Sequence, residues 1–432
     1  MPISVTGDIR FLAYKRLTSM PSKKLILIMI DGISADYFEA YGQRLPYLSQ
    51  LARGGYQVKR MKSPVPATSM PGRASLLSGF AADKHGIYGN RLLRDGAFTP
   101  ADSEDMRAPT IASLATSAGL DVACIGHALI RPDDASIYVP PCWMRGPDFT
   151  KVTASGHEWS LLQIKDPLRR LSGVQLPSME MQASTTDPLG MSEYLIADQQ
   201  MVGIAAALLR ASSAPDVIIT EINVTDSAQH YYGYESEQAN FAVSFADGLV
   251  GLCLDSIRQR NANSEYNLAI LSDHGHDAIN KTIYVDRVIP GLVFDTEGSS
   301  LHVLVNSATQ RADVERRLTS VGAEAWDGDH LPPELREQIA MFVAPSGHDF
   351  AKAPENAPAG DLVGESHKKS MHGLRPGDPA DDRFCLFFGP DVPNGVIETA
   401  DAESFAPTVS ALLDLPLTSF PGRPLFTPSV SA

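Results

Sequence analysis

The stretch Lys24-Leu-Ile-Leu-Ile-Met-Ile30 runs without interruption into Asp31-Gly32. An apolar run that is continuous rather than alternating suits a strand covered on both faces, as in a parallel sheet. The pattern recurs. Val122-Ala-Cys-Ile125 ends at Gly126-His127, Val217-Ile-Ile-Thr220 leads towards Asp226, and Leu268-Ala-Ile-Leu271 ends at Ser272-Asp273-His274. Phe384-Cys-Leu-Phe-Phe388 follows His372. Helical patterns lie between these runs, at 44–54, 109–118, 197–210 and 240–259. The alternation predicts an α/β fold: a doubly wound, mostly parallel sheet with helices on both faces. In such sheets functional groups collect outside the carboxyl ends of the strands. Asp31 and Asp273 both stand at such ends.

Two stretches break the alternation. Residues 131–198 are rich in Pro, Ser and Met and read as an insertion. Residues 277–370 hold a strand-like Leu301-His-Val-Leu-Val305, an amphipathic piece at 312–321 and a Pro/Gly-rich run at 345–364. This second stretch reads as a small α+β cap insertion over the site. The catalytic core would then comprise residues 1–276 and 371–432.

Composition narrows the function classes. The chain has 432 residues, 44% hydrophobic and 20% charged, which is ordinary for a globular protein with a substantial core. Its 51 acidic residues outweigh 36 basic ones, for a net charge of −15. Such a surface repels a nucleic-acid scaffold or an anionic membrane. A small anionic substrate stays open, because a bound cation inverts the local field. The four cysteines, Cys124, Cys142, Cys253 and Cys385, are scattered, form no CxxC pair and read as small buried hydrophobes. No apolar run approaches the ~20 residues of a membrane span. Residues 1–24 lack an apolar leader segment with a cleavage site. The expectation is therefore a cytoplasmic protein, or a periplasmic or secreted one if a leader has been removed.

The hard-ligand residues follow one another in a telling order. Asp31 ends the first strand, Asp226 and His230 form a DxxxH pair, Asp273 and His274 sit before Gly275, and His372 sits before Gly373. An Asp after a strand can simply cap the next helix, and each pair alone is weak. Together they make a mixed nitrogen and oxygen ligand set that suits zinc, with manganese or iron as alternatives. Six ligands exceed one tetrahedral site and could serve two metals sharing a phosphate. His276 and Asp277 directly follow this motif, within reach of the site.

A second feature is Thr68-Ser-Met-Pro-Gly-Arg73. Pro71 fits the first turn of a helix, which places Ser69 just before the helix N-terminus. There the dipole and free N–H groups favour an alkoxide and a bound phosphate. Ser69 is thus a candidate nucleophile or an ordinary N-cap.

These motifs, in this order, resemble the alkaline phosphatase superfamily, and within it the nucleotide pyrophosphatase/phosphodiesterase branch. The resemblance runs from about residue 24 to 425 and includes Phe405-Ala-Pro-Thr-Val and Gly422-Arg-Pro-Leu425 near the end. It implies that Asp226, His230 and His372 hold one zinc. Asp31, Asp273 and His274 would hold the other, with the Ser69 oxygen as a further ligand. It implies that Asn90, in Gly86-Ile-Tyr-Gly-Asn90, binds a phosphoryl oxygen. Ser69 would attack phosphorus of a small phosphate-ester substrate to form a phosphoseryl-type intermediate, which water hydrolyses. Arg73 would sit on the substrate side or pin the helix.

The chain also departs from that branch. The nucleophile there is usually Thr, and Thr68 lies beside Ser69. Ser69-x-Pro71-x-Arg73 also resembles a sulfatase signature, although a sulfatase usually opens with paired aspartates and binds one calcium through oxygen. The sequence therefore supports a phosphodiesterase or nucleotide pyrophosphatase first. A sulfatase, phosphonate hydrolase or phosphomonoesterase of the same superfamily is the alternative, and a non-catalytic metal-stabilised binding protein is a third.

Overall fold

The computed structural model describes residues 24–141, 164–174, 191–263 and 265–428. Lys24–Ile30 forms the central strand of an eight-stranded sheet. Val217–Ile222 pairs with it on one side and Tyr266–Leu271 on the other, both parallel. The full order is Gly395–Ala400, Tyr56–Met61, Arg383–Phe388, Tyr266–Leu271, Lys24–Ile30, Val217–Ile222, Val122–Ile125 and Ile137–Val139. Arg383–Phe388 runs antiparallel to both of its neighbours, and the other pairs are parallel.

Period-two alternation along the central strand serves two cores. Ile26, Ile28 and Ile30 face one apolar cluster, with Val202 and Leu209 of helix Met191–Arg210 and Val243 and Val250 of helix Glu237–Gln259. Leu25, Leu27 and Met29 face the other, with Ala74 and Leu77 of helix Ser69–Ser78 and Val409 of helix Phe405–Leu412. Helices therefore cover both faces. The 23-residue Glu237–Gln259 is long and apolar enough to cross a membrane. Its Ala242, Val243, Ala246, Val250 and Cys253 are buried in the first core, as expected of an interior helix.

The element limits differ from the sequence reading where local chemistry is decisive. The helix expected over 44–54 starts at Pro46, which occupies its first turn, and a separate 3-10 turn covers Gly42–Arg44. The helix expected from 240 starts at Glu237, because the Ser236 side chain accepts the Ala239 N–H as an N-cap. Within 131–198, Ile137–Val139 joins the main sheet as its edge strand, and helix Met191–Arg210 already packs on the sheet. Those pieces belong to the sheet layers rather than to an insertion. Most of the rest of that stretch, and Cys142, lie outside the described residues; Cys124, Cys253 and Cys385 are buried free thiols.

Residues 277–370 contain two small sheets. One orders Phe294–Glu297, Ser300–Leu304, Ile339–Val343 and Glu324–Trp326, and the other His348–Ala351, Lys281–Tyr284 and Val363–Glu365. Helix Ala308–Thr319 closes a separate apolar cluster through Val314 and Leu318, against Leu301, Val303 and Phe342.

Candidate active site

Topology gathers the functional groups at one edge of the sheet. The strands Lys24–Ile30, Val217–Ile222 and Tyr266–Leu271 run the same way, so Asp31, the Asn223–Asp226 turn and Asp273–His274 emerge together. Arg383–Phe388 runs the other way, so the loop before it, which carries His372, returns to the same edge. Gly32 adopts a φ of +72°, and a Cβ there would lie 3.1 Å from Asp226 Cβ and 3.0 Å from the His276 ring. Glycine is what lets the three loops converge.

Ser69 is the first residue of helix Ser69–Ser78, and Thr68 is its N-cap. This corrects the expected position by one residue. It also changes which amides are free. Met70 N donates to Asn90 Oδ1 at 2.8 Å, Pro71 has no N–H, and Gly72 N donates to Thr68 O. The helix start thus offers its dipole but few donors; the Asn90 amide nitrogen, which has no protein partner among the described residues, lies beside it. Ser69 Oγ lies 3.1 Å from His274 Nε2. The Thr68 hydroxyl is buried and donates to Glu297 Oε2 at 2.7 Å.

Around Ser69 stand three overlapping groups of potential ligands: Asp31, Asp273 and His274; Asp226, His274 and His372; and Asp226, His230 and His276. Within each, the ligand atoms lie within 4.8 Å of one another. All six residues singled out from the sequence are therefore brought together, and His276 joins them. His276 Nε2 is 2.8 Å from Asp226 Oδ1, and His230 Nε2 is 3.2 Å from the same oxygen. Three imidazoles are oriented from behind. His230 Nδ1 hydrogen-bonds to Ser370 O, His274 Nδ1 to Gly275 O, and His276 Nδ1 to Ser370 Oγ. Such bonds fix the tautomer and aim Nε2 into the site.

The electrostatics ask for a cation. Burial raises Asp31 and Asp226, yet Arg73 beside the first and His230 beside the second hold both below the usual carboxylate range. Burial, and then the charge of Asp31, push Asp273 up to about 7. Burial opposes charge on His274, but Asp273 and then Asp31 raise it to about 10. Burial pushes His276 down to about 4 and His372 well below its ordinary value. Asp31 Oδ1 lies 3.2 Å from His274 Nε2, and Asp273 Oδ2 lies 2.7 Å from Arg73 Nη1 and 3.7 Å from His274 Nε2. Buried carboxylate oxygens gathered beside imidazole nitrogens are a donor set that fits divalent metal.

Arg73 is 1% exposed. Its Nη2 lies 2.7 Å from Asp31 Oδ2, its Nη1 2.7 Å from Asp273 Oδ2, and its Nε 3.2 Å from Glu221 Oε2. It also reaches the wall of a cleft, beside Asp31 and Ser69, so its guanidinium both binds these carboxylates and borders the space beside Ser69. Glu221 had no sequence signal, because it lies inside an apolar strand and its partners, Arg73 and the Ala128 N–H, are distant in sequence.

Two clefts meet at Ser69. The smaller, about 350 Å³, is lined by Asp31, Ser69, Asn90, Arg91, Tyr194 and Asn223. The larger, about 770 Å³, is lined by Ser69, Asn90, Tyr231, Tyr284, Lys352 and Lys368. Ser69, Asn90, Tyr194, Asp226 and Ser227 belong to both.

Residues 25–378 match the family described as type I phosphodiesterase / nucleotide pyrophosphatase. A venom phosphodiesterase of Macrovipera lebetinus is 23% identical over 272 residues, covering 61% of this chain and 27% of the relative. Human ectonucleotide pyrophosphatase/phosphodiesterase family member 1 is 22% identical over 270 residues, 61% of this chain and 25% of that protein. The matched region thus spans about a quarter of the length of these relatives. Murine ectonucleotide pyrophosphatase/phosphodiesterase 5 superposes with a TM-score of 0.67 at 16% identity, covering 91% of this chain and 96% of that one. An inactive variant of it has been solved in complex with AMP. With the match extending over most of its length, the chain belongs to the type I phosphodiesterase/nucleotide pyrophosphatase family of the alkaline phosphatase superfamily.

Proposed function

We propose that the protein is a dimetal hydrolase of phosphate diesters or nucleotide pyrophosphates with Ser69 as nucleophile. The observation that carries the reading is the meeting of two clefts at Ser69 beside the metal-competent set. A diester or pyrophosphate has two substituents on phosphorus and needs two places to put them; a monoester has one. The AMP complex of the murine relative supports a nucleotidyl group as one substituent, and Tyr231 and Tyr284 of the larger cleft offer it aromatic surface.

Asp31, Asp273, His274 and Ser69 would hold one metal, and Asp226 with His230 and His372 the other, with His276 beside them. Zinc suits these ligands best, with manganese or iron as alternatives. Bound metal would supply Lewis-acid charge for the phosphoryl oxygens and lower the pKa of the Ser69 hydroxyl. Ser69, favoured as an alkoxide by the helix dipole, attacks phosphorus in line. A bond forms from Oγ to phosphorus as the bond to the leaving oxygen breaks. The Asn90 amide donates to a non-bridging oxygen as charge grows there. The other substituent stays on phosphorus, so the intermediate is a seryl diester such as nucleotidyl-serine; water then attacks its phosphorus, Ser69 is the second leaving group, and the proton lost by water restores the Ser69 hydroxyl.

The test is a panel of p-nitrophenyl esters with zinc-loaded protein. Hydrolysis should be fastest for bis-p-nitrophenyl phosphate and slower for p-nitrophenyl phosphate and p-nitrophenyl sulfate. Preference for the sulfate would favour the sulfatase-like reading of the Ser69–Arg73 motif, and preference for the monoester would remove the argument from two clefts.

A further inference from the structure

The nucleophile segment is held by a carboxyl from the 277–370 insertion. Glu297 ends strand Phe294–Glu297, at the tip of its hairpin with Ser300–Leu304, and is 3% exposed. Its Oε2 accepts the Thr68 hydroxyl at 2.7 Å. Its Oε1 accepts the Asn90 backbone N–H at 2.5 Å and that of Arg91 at 3.4 Å. Asn90 Oδ1 in turn accepts Met70 N–H at 2.8 Å. The bonds close a ring: Glu297 to Thr68, along the chain through Ser69 to Met70, across to Asn90, and back to Glu297. Ser69 sits on that ring with residues bonded to it on both sides.

Several features show that the approach is built in. Thr at an N-cap ordinarily turns its oxygen to the helix N–H groups, but Thr68 makes no such bond and spends its hydroxyl on Glu297. A Cβ on Gly89 would lie 2.3 Å from Glu297 Oε1, and one on Gly298 would lie 2.3 Å from His372 O. The hairpin tip is clamped to the same neighbourhood: Ser299 N–H donates to His372 O, Ser300 Oγ to Gly373 O, and Gly373 N–H to Ala67 O. Burying a carboxyl is costly unless hydrogen bonds repay it, and these bonds all lead to the residues flanking the nucleophile and its neighbouring amide.

We propose that Glu297 is a positioning residue that sets the distance between Ser69 Oγ and the Asn90 amide, so that the insertion completes the phosphoryl site. The inference rests on the roles given above to Ser69 and Asn90. Burial, and then Asp295, push the Glu297 carboxyl well above its ordinary range. A glutamine keeps one acceptor oxygen for the Asn90 N–H and can donate its NH2 to Thr68 Oγ, so it should serve nearly as well.

The experiment compares Glu297→Ala, Glu297→Gln, Asn90→Ala and the Glu297→Ala/Asn90→Ala double variant in the zinc-loaded full chain. A misplacement of about 1 Å can cost about 100-fold. Glu297→Ala should lower kcat by about that factor with KM and bound zinc little changed, and Glu297→Gln should restore most of it. In the Asn90→Ala background the same alanine change should cost only a few-fold, since groups acting as a unit are non-additive. Full additivity, or zinc loss in step with kcat, would overturn the proposal. Affinity for inorganic phosphate, read by calorimetry, supplies the same cycle without turnover. If wild type hydrolysed no ester, the proposed function would fail, while a coupled loss of phosphate affinity would still support the positioning role and an additive loss would refute it. Should Glu297→Ala not fold, Thr68→Val decides: it removes one donor to Glu297 and should lower kcat about tenfold, and an unchanged kcat would refute the ring.

Discussion

Arg73→Met isolates the charge balance behind the site. The guanidinium touches Asp31, Asp273 and Glu221 at 2.7, 2.7 and 3.2 Å, and it is 1% exposed. Methionine fills much of the same volume without charge. Removing one partner of a buried ionic set costs about 3–5 kcal/mol, because the remaining charges stay buried without compensation. For a cooperative unit of this length, with roughly 2 cal/mol/K of unfolding entropy per residue, that is a fall of about 3–6 °C in Tm. Metal should change the result. Asp31 and Asp273 are among the candidate ligands, so bound zinc would compensate two of the three carboxylates that Arg73 touches, Glu221 being the third. Thermal unfolding followed by circular dichroism, once in chelator and once in excess zinc, gives both numbers. The variant should show the full fall of about 3–6 °C in chelator and recover a large part of it in zinc. A loss under about 1 kcal/mol in chelator, at the level of an exposed pair, would refute the buried-network reasoning. Equal losses in the two conditions would refute the link between Arg73 and the metal ligands.

Ser69→Ala should keep its zinc and lose turnover by three orders of magnitude or more, as expected for a missing nucleophile; retained turnover would move the nucleophile elsewhere. Asp273→Asn should lose both zinc and activity, measured by metal analysis alongside the ester assay. Gly72→Ala should lose activity too, because a Cβ there would lie 2.3 Å from Asp273 O and drive the Ser69 helix off the metal ligands. His85 is buried, hydrogen-bonds Ser75 Oγ and accepts Ile87 N–H, and burial pushes it down to about 3. Its folded pKa lies below the unfolded value of about 6.5, so the unfolded chain binds the extra proton and stability falls as pH drops from about 6.5 towards 3. His85→Asn should therefore flatten the fall in stability between pH 6 and pH 4 by about 1.4 kcal/mol per pH unit, the value for one proton. An unchanged slope in denaturant titrations would show that His85 does not titrate on unfolding.

The central strands were legible because burial on both faces leaves a continuous apolar run, as in Lys24–Ile30. Tyr56–Met61 and Gly395–Ala400 were not, since they lie at one end of the sheet and carry Lys59, Arg60 and Glu398 on half-exposed faces. The ligand set was legible because strand ends impose Asp-Gly and Asp-His-Gly signatures beside the chemistry. His276 was within view for the same reason. Arg73 could be placed near the site but not aimed, because its direction depends on Glu221, 148 residues away and masked by its apolar strand. Glu297 left no local trace at all. It lies 207 residues from Asn90, and only the fold brings its carboxyl to that backbone.

Two successive displacements at phosphorus, the first by Ser69, would leave a stereochemical signature. A p-nitrophenyl phosphorothioate diester of known configuration at phosphorus would be hydrolysed in ¹⁸O-water by the zinc-loaded protein, and the configuration of the product determined. Two in-line steps through the seryl diester predict overall retention. Inversion would mean that water attacks phosphorus directly, and would contradict a covalent Ser69 intermediate.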